Sequence, residues 1–166
     1  MQPSFETDRL ILRPRGLQDL NACLAMDRQP GVTKFIEGPW DDPVRHRAFV
    51  LDRITREYPP GQGYWSIFEK DNPDRFIGWV LLIPDGDPNR DDVEIGWRLI
   101  PDCWGRGYAT EAARPVLAHA LSTLELSRVI ADIHPDNAGS IGVAEKIGMR
   151  PAGEAGDFYI RYIASV

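Results

Sequence analysis

At Trp104 the chain reads WGRGYATEAARPVL, two glycines and an arginine leading into a run of small, helix-forming residues. A helix that starts here leaves its first backbone N–H groups without partners, and the positive end of its dipole falls on the same spot. Gly105 and Gly107 let the backbone come close to a ligand, Ala109 and Thr110 keep the first turn slim, and Arg106 adds a cation. The chemistry that such a turn suits is the binding of phosphate or pyrophosphate. Just before it, VEIGWRLI alternates so that Glu94, Gly96, Arg98 and Ile100 share one face and Val93, Ile95, Trp97 and Leu99 the other. A carboxylate, bare backbone and a guanidinium on one face of a central strand are costly unless the charges are paired or used. An ion pair of Glu94 with Arg98, or with another charge, is one reading; a chemical role for Glu94 is the other.

The elements that must hold these residues follow from local pattern. RLILRP, residues 9 to 14, suits a first strand closed by proline. Leu17, Leu20 and Leu24 recur at helical spacing before Pro30, and Asp42 with Pro43 is a cap and first position for a second helix that Pro59 and Pro60 stop. From Gly63 the period becomes two: YWSIFEK, FIGWVLLI and VEIGWRLI form an antiparallel meander separated by turn clusters. The quoted loop opens a helix over about 106 to 123, in which Pro115 should produce a kink rather than an end. SRVIADIHP is then a strand, Asn137 caps a helix that Gly148 ends, and MRPAGE and DFYIRYIASV are two last strands. The order β-α-α-β-β-β-α-β-α-β-β describes a single mixed α/β domain over 1–166.

Composition narrows the function. A formal charge of -6 argues against a general nucleic-acid binder, which needs a surplus of Lys and Arg. Cys23 and Cys103 fit no metal-ligand spacing, so no metal is expected. The N-terminus has no signal pattern and no apolar run spans a bilayer, which predicts a soluble, cytoplasmic protein without membrane contact. A nicotinamide-binding turn is an alternative for the glycine-rich loop, with Asp132 as the ribose-binding acid. Against it stand Pro101–Trp104 between strand and glycine, the missing third glycine, and the meander in front.

The run WGRGYATEA resembles the acyl-CoA pyrophosphate loop of the GNAT N-acetyltransferases, Gln/Arg-x-x-Gly-x-Gly/Ala, with Gly107 and Ala109 in the last two positions. Trp104 in the first position is a departure, similar to the ribosomal-protein alanine N-acetyltransferase (Rim-type) branch. TDRLILRP, EIGWRLIP and NAGSIGVAEKIGM carry the resemblance across essentially the whole chain. It implies an open, mostly antiparallel sheet flanked by helices and splayed where acetyl-CoA lies, and the transfer of acetyl to a primary amine by direct attack. It further implies that the amides from Gly105 through Arg106, Gly107, Tyr108 and Ala109 to Thr110 take the pyrophosphate. Main chain at Leu99 and Ile100 would pair with the acetyl group and pantetheine arm; Asn137 would contact pantetheine and Lys146 the nucleotide end.

For the chemistry, the resemblance makes Glu94 the general base, through a water. The tyrosine that many relatives use as general acid would stand at Ala144, which leaves Ser140 as the hydroxyl for the departing thiolate. Ser140 at the third position of a helix also has a plain backbone-bonding role open to it. Phe35, Trp40 and Arg98 are candidates for the acceptor pocket, although aromatics at the spacings of Phe35 and Trp40 more often belong to a core. His46 and His119 have no partner in view, His134 suits a structural role, and Glu111 complements the dipole of its helix. The acceptor is a small amine or a protein N-terminus, with the acidic balance leaning to a cationic one, and an edge strand near the C-terminus offers a homodimer contact. A non-catalytic acyl-CoA sensor is the second alternative.

Overall fold

A computed structural model describes all 166 residues. The meander forms as expected because three hydrophobic runs are separated by turn residues: β3 (Gly63–Glu69), β4 (Asn72–Pro84) and β5 (Val93–Leu99) pair antiparallel in sequence order. A two-residue strand β1 (Phe5–Glu6), which local pattern does not announce, and β2 (Leu10–Pro14) extend this half of the sheet. The other half is β6 (Arg128–Ile133), β7 (Arg150–Ala155) and β8 (Tyr159–Ser165), and the full eight-stranded order is β1-β2-β3-β4-β5-β6-β8-β7.

Both faces are covered at the centre, which is why β3 and the middle of β4 are buried without alternation. On one face lie α1 (Leu20–Arg28) and α2 (Pro43–Thr55); the Asp42 carboxylate accepts from the N–H groups of Val44 and Arg45 at 3.0 and 3.1 Å, the cap expected from its sequence. α3 (Tyr108–Ala118) packs on β2, β4 and β5. Pro115 neither ends it nor stops it short: the helix runs on to Ala118 and then widens into a π turn, His119–Thr123, where Leu124 N–H reaches back to His119 O. α4 (Ala138–Lys146) begins at Asn137, whose side chain accepts from Ser140 N–H.

One junction is unlike the rest. β5 and β6 run parallel and pair at a single register position, Glu94 with Ile130. Past it the strands part, so the carboxyl end of β5 has no neighbour on that side and the sheet opens toward the start of α3 and α4. Near this end of β5 the neighbouring strand comes close: a Cβ on Gly78 of β4 would lie 2.1 Å from the Arg98 carbonyl oxygen, an approach only glycine allows.

Candidate active site

The opening between β5 and β6 leads into a cleft of about 690 Å³. One wall is the end of β5 with Trp97, Arg98 and Leu99; another is the turn Trp104–Thr110; a third is α4 with Asn137, Ser140 and Lys146; the segment Gly31–Ile36 covers it.

The turn is built for a close approach to backbone. Gly105 and Gly107 have φ of +73° and +78°, the left-handed region, and nothing lies within 4 Å of where a Gly105 Cβ would stand. Gly107 caps α3 without any side-chain hydrogen bond, and the first intrahelical bond is Glu111 N–H to Gly107 O. The N–H groups of Tyr108, Ala109 and Thr110 therefore have no acceptor in the chain, and each of these residues lines the cleft. Long-range bonds hold this turn in place. The Tyr108 hydroxyl donates to Glu69 at 3.2 Å, Arg9 lies over the Tyr108 ring, and Glu111 accepts from Thr7 Oγ1, Arg9 N–H and Arg9 Nε. Those three bonds hold the Glu111 carboxyl below its usual range even though burial alone would raise it. Glu111 thus ties the N-terminal strands to α3 as well as facing its dipole.

The other proposed residues divide between the cleft and the sheet beneath it. Gly105, Gly107, Asn137, Ser140, Lys146 and Phe35 line the cleft, and the Ser140 hydroxyl makes no hydrogen bond within the protein. The structure places Arg106 on the exposed outside of the turn, off the cleft lining. Leu99 lines the cleft, but its carbonyl already accepts from the Trp104 indole N–H at 2.9 Å. Ile100 is buried and gives its N–H to Ile77 O at 2.9 Å, so that amide is not free for a ligand. Trp40 also stands off the cleft, edge-on to His46 and Phe49.

Arg98 lines the cleft, yet its charge is engaged elsewhere than expected. Its Nη1 donates to Asp27 Oδ1 at 2.7 Å, the other oxygen of Asp27 meets His46 Nε2 at 2.9 Å, and the guanidinium lies over the rings of Trp40 and Trp79. The ion pair of Glu94 with Arg98 does not form. His46 has this partner and His119 has Gly61 O at 2.9 Å, neither foreseeable from neighbours in sequence.

Glu94 is half-buried on the α1–α2 face, outside the cleft lining, and its carboxylate makes no hydrogen bond or ion pair. Loss of water on burial pushes its pKa up to about 7; Asp132 and Asp85 push the same way and Arg53 opposes them. That is the range of a group that can take a proton near neutrality. Sequence reasoning missed Lys34, Trp97 and Cys103 as cleft residues. The covering segment meets the rest through contacts distant in sequence: Phe35 on the His134 ring, and Gly31 beside the Trp104 ring.

The splayed, mostly antiparallel sheet flanked by helices is a fold that known proteins share. Residues 9–150 match the family described as acetyltransferase (GNAT) domain, and the chain belongs to it. The protein is accordingly an acetyltransferase. It is 43% identical over 148 residues to the uncharacterized N-acetyltransferase YnaD of Bacillus subtilis, covering 89% of this chain and 82% of that one. It is 30% identical over 158 residues to FsC-acetyl coenzyme A-N(2)-transacetylase of Aspergillus fumigatus, covering 89% of this chain but 65% of that protein's length. A crystal structure of an Agrobacterium tumefaciens acetyltransferase superposes with a TM-score of 0.84 at 28% identity, covering 100% of this chain and 96% of that one. No helix is long and apolar enough to cross a membrane.

Proposed function

We propose that the protein moves an acetyl group from acetyl-CoA to a primary amine by direct attack with both substrates bound. The observation that carries this reading is the set of unpartnered N–H groups of Tyr108, Ala109 and Thr110 opening into the splay between β5 and β6. Their donors and the α3 dipole suit the pyrophosphate, Gly105 and Gly107 leave room for it, and Lys146 adds a cation on the opposite wall. Bound acetyl-CoA supplies the activated thioester; everything else is the work of this chain. The end of β5 that lines the cleft and the Asn137 end of α4 orient the pantetheine arm. Glu94 takes the proton of the incoming ammonium through a water, a task its raised pKa fits. Ser140, whose hydroxyl is uncommitted, passes its proton to the departing sulfur and takes the second proton of the acetylated nitrogen, so that it ends again as a hydroxyl. Ala144 is fully buried and leaves no place for a tyrosine there. Holding both reactants in the cleft supplies the remaining rate. Phe35 borders the acceptor.

Calorimetric titration of acetyl-CoA, CoA and NAD, followed by thiol release across a panel of amines, tests this reading. Binding of both CoA species without NAD is expected, as is turnover on at least one amine. On that amine Ser140→Ala should lower kcat by roughly 10²-fold and leave CoA affinity unchanged. Glu94→Gln should abolish the rise of activity through about pH 7. Failure of CoA to bind defeats the proposal, and binding without turnover on any amine favours the sensor.

A further inference from the structure

A second cavity, of about 380 Å³, lies away from the cleft and shares no residue with it. Arg15, Arg53, Arg56, Glu57 and Gln62 give it polar groups, and Tyr58, Tyr64, Ile54, Pro59 and Pro60 give it apolar surface. Its lining carries three arginines and one carboxylate; Asp52, just outside the lining, pairs with Arg56 and lies 4.0 Å from Arg53, which leaves Arg15 as the arginine without a carboxylate.

Arg15 is the anomaly. Every other arginine of the chain that is not exposed has a carboxylate within 4.0 Å: Arg13 has Asp19, Arg53 has Asp52, Arg98 has Asp27 and Arg161 has Asp132. Arg15 has none. Its Nη1 reaches only the Cys23 sulfur at 3.8 Å, and its flat face stacks on the Tyr64 ring at 3.6 Å. Stacking satisfies the face of a guanidinium and leaves its in-plane N–H groups untouched. Nε and Nη2 are both shut off from water and have no acceptor. Withdrawing such donors from water without a partner is unfavourable, more so on a charged group.

These two nitrogens form one edge of the guanidinium, and the chain uses the same edge twice to grip a carboxylate. Arg128 Nε and Nη2 donate to the two oxygens of Asp92 at 2.6 and 2.7 Å, and Arg161 Nε and Nη2 donate to those of Asp132, both at 2.9 Å. At Arg15 the edge is present and the carboxylate is not. Buried Gln62 Oε1 also lacks a partner and asks for an N–H or O–H donor.

We propose that this cavity is a second binding site, for a small carboxylic acid with an apolar or aromatic body, held by the Nε–Nη2 edge of Arg15. Arg53 and Arg56, both beside Asp52, also line the cavity. Tyr58, Tyr64 and the prolines accept the body, and the volume falls in the range of small-molecule sites. Because the edge is shut from water, a side chain of the cavity wall moves aside as the acid enters.

Titration of the full chain with benzoate, benzamide and inorganic phosphate tests it, read by calorimetry and by amide chemical shifts. Benzoate should bind with shifts centred on Arg15, Tyr58 and Tyr64. Neutral benzamide should bind at least tenfold more weakly, and phosphate more weakly than benzoate. Arg15→Lys keeps the charge and loses the fork, and should weaken benzoate at least tenfold with CoA affinity unchanged. Should that variant not fold, Arg56→Gln on the exposed rim should weaken benzoate severalfold. Equal binding of benzoate and benzamide, phosphate as tight as benzoate, shifts located in the cleft, or variants that bind benzoate normally would each overturn the proposal.

Discussion

The cleft and the sheet surface beneath α1 and α2 treat polar groups in opposite ways. Under the helices the charges other than Arg15 and Glu94 are largely closed on one another: Arg13 grips Asp19 with two bonds of 2.9 Å, Ser66 adds a third, and Asp27 is shared between Arg98 and His46. In the cleft the α3 amides, the Ser140 hydroxyl and the ammonium groups of Lys34 and Lys146 have no carboxylate or carbonyl to satisfy them. A fold that pairs its charges so thoroughly in one place leaves donors bare in another where a ligand supplies the acceptor. Glu94 stands between the two regimes, on the paired face but itself unpaired.

The contrast is most easily broken at Asp27. Asp27→Ala strands Arg98 and His46 together in the interior, and should cost about 3–5 kcal/mol of unfolding free energy, measured by denaturant titration. A loss near that of a surface substitution would mean that the buried cluster is not a structural one. A smaller effect, on the other side of the comparison, comes from Gly105→Asp. Asp tolerates the left-handed region better than most residues and meets nothing at this position, so stability should change by no more than about 1–2 kcal/mol. Its carboxylate next to the bare amides should weaken CoA about tenfold, equivalent to about 1.4 kcal/mol. Unaltered CoA affinity by calorimetry would detach the turn from pyrophosphate.

The subtlest test concerns Glu94. Its folded pKa, about 7, stands above the unfolded value of 4.5, so folding favours the protonated form. Its contribution to stability is present below pH 4.5 and is lost as pH rises toward and through 7. Glu94→Gln should therefore melt above the native protein at pH 8 and close to it at pH 4. Parallel melting curves at both values would show that Glu94 is an ordinary solvated carboxylate.

Features carried by neighbouring residues were legible in the sequence. The Asp42 and Asn137 caps, the meander and the glycine turn each depend on atoms a few positions apart, and each stands where the pattern puts it. Partners chosen by tertiary packing were not. Arg98 finds Asp27 71 residues away, His119 finds Gly61 58 away, and Glu111 finds Thr7 104 away. Strand alternation put Glu94 and Arg98 on one face, but only the docking of α1 decides that Arg98 turns to Asp27. The same reason hides Lys34 and Trp97 in the cleft, since the 31–36 segment folds over it from a distant stretch of chain. The π turn after α3 likewise has no local signal beyond Pro115.

Trp104, which replaces the polar residue that opens the family's loop, has one more property. Its indole N–H is anchored to β5 while nearly half of the residue, 49%, stays open to solvent at the mouth of the cleft. Trp65 and Trp79 are sealed in the interior and Trp40 and Trp97 are partly covered, so Trp104 is the exposed one of the five tryptophans. Filling the cleft should therefore shift the emission of Trp104, which would give an optical readout of occupancy without any label.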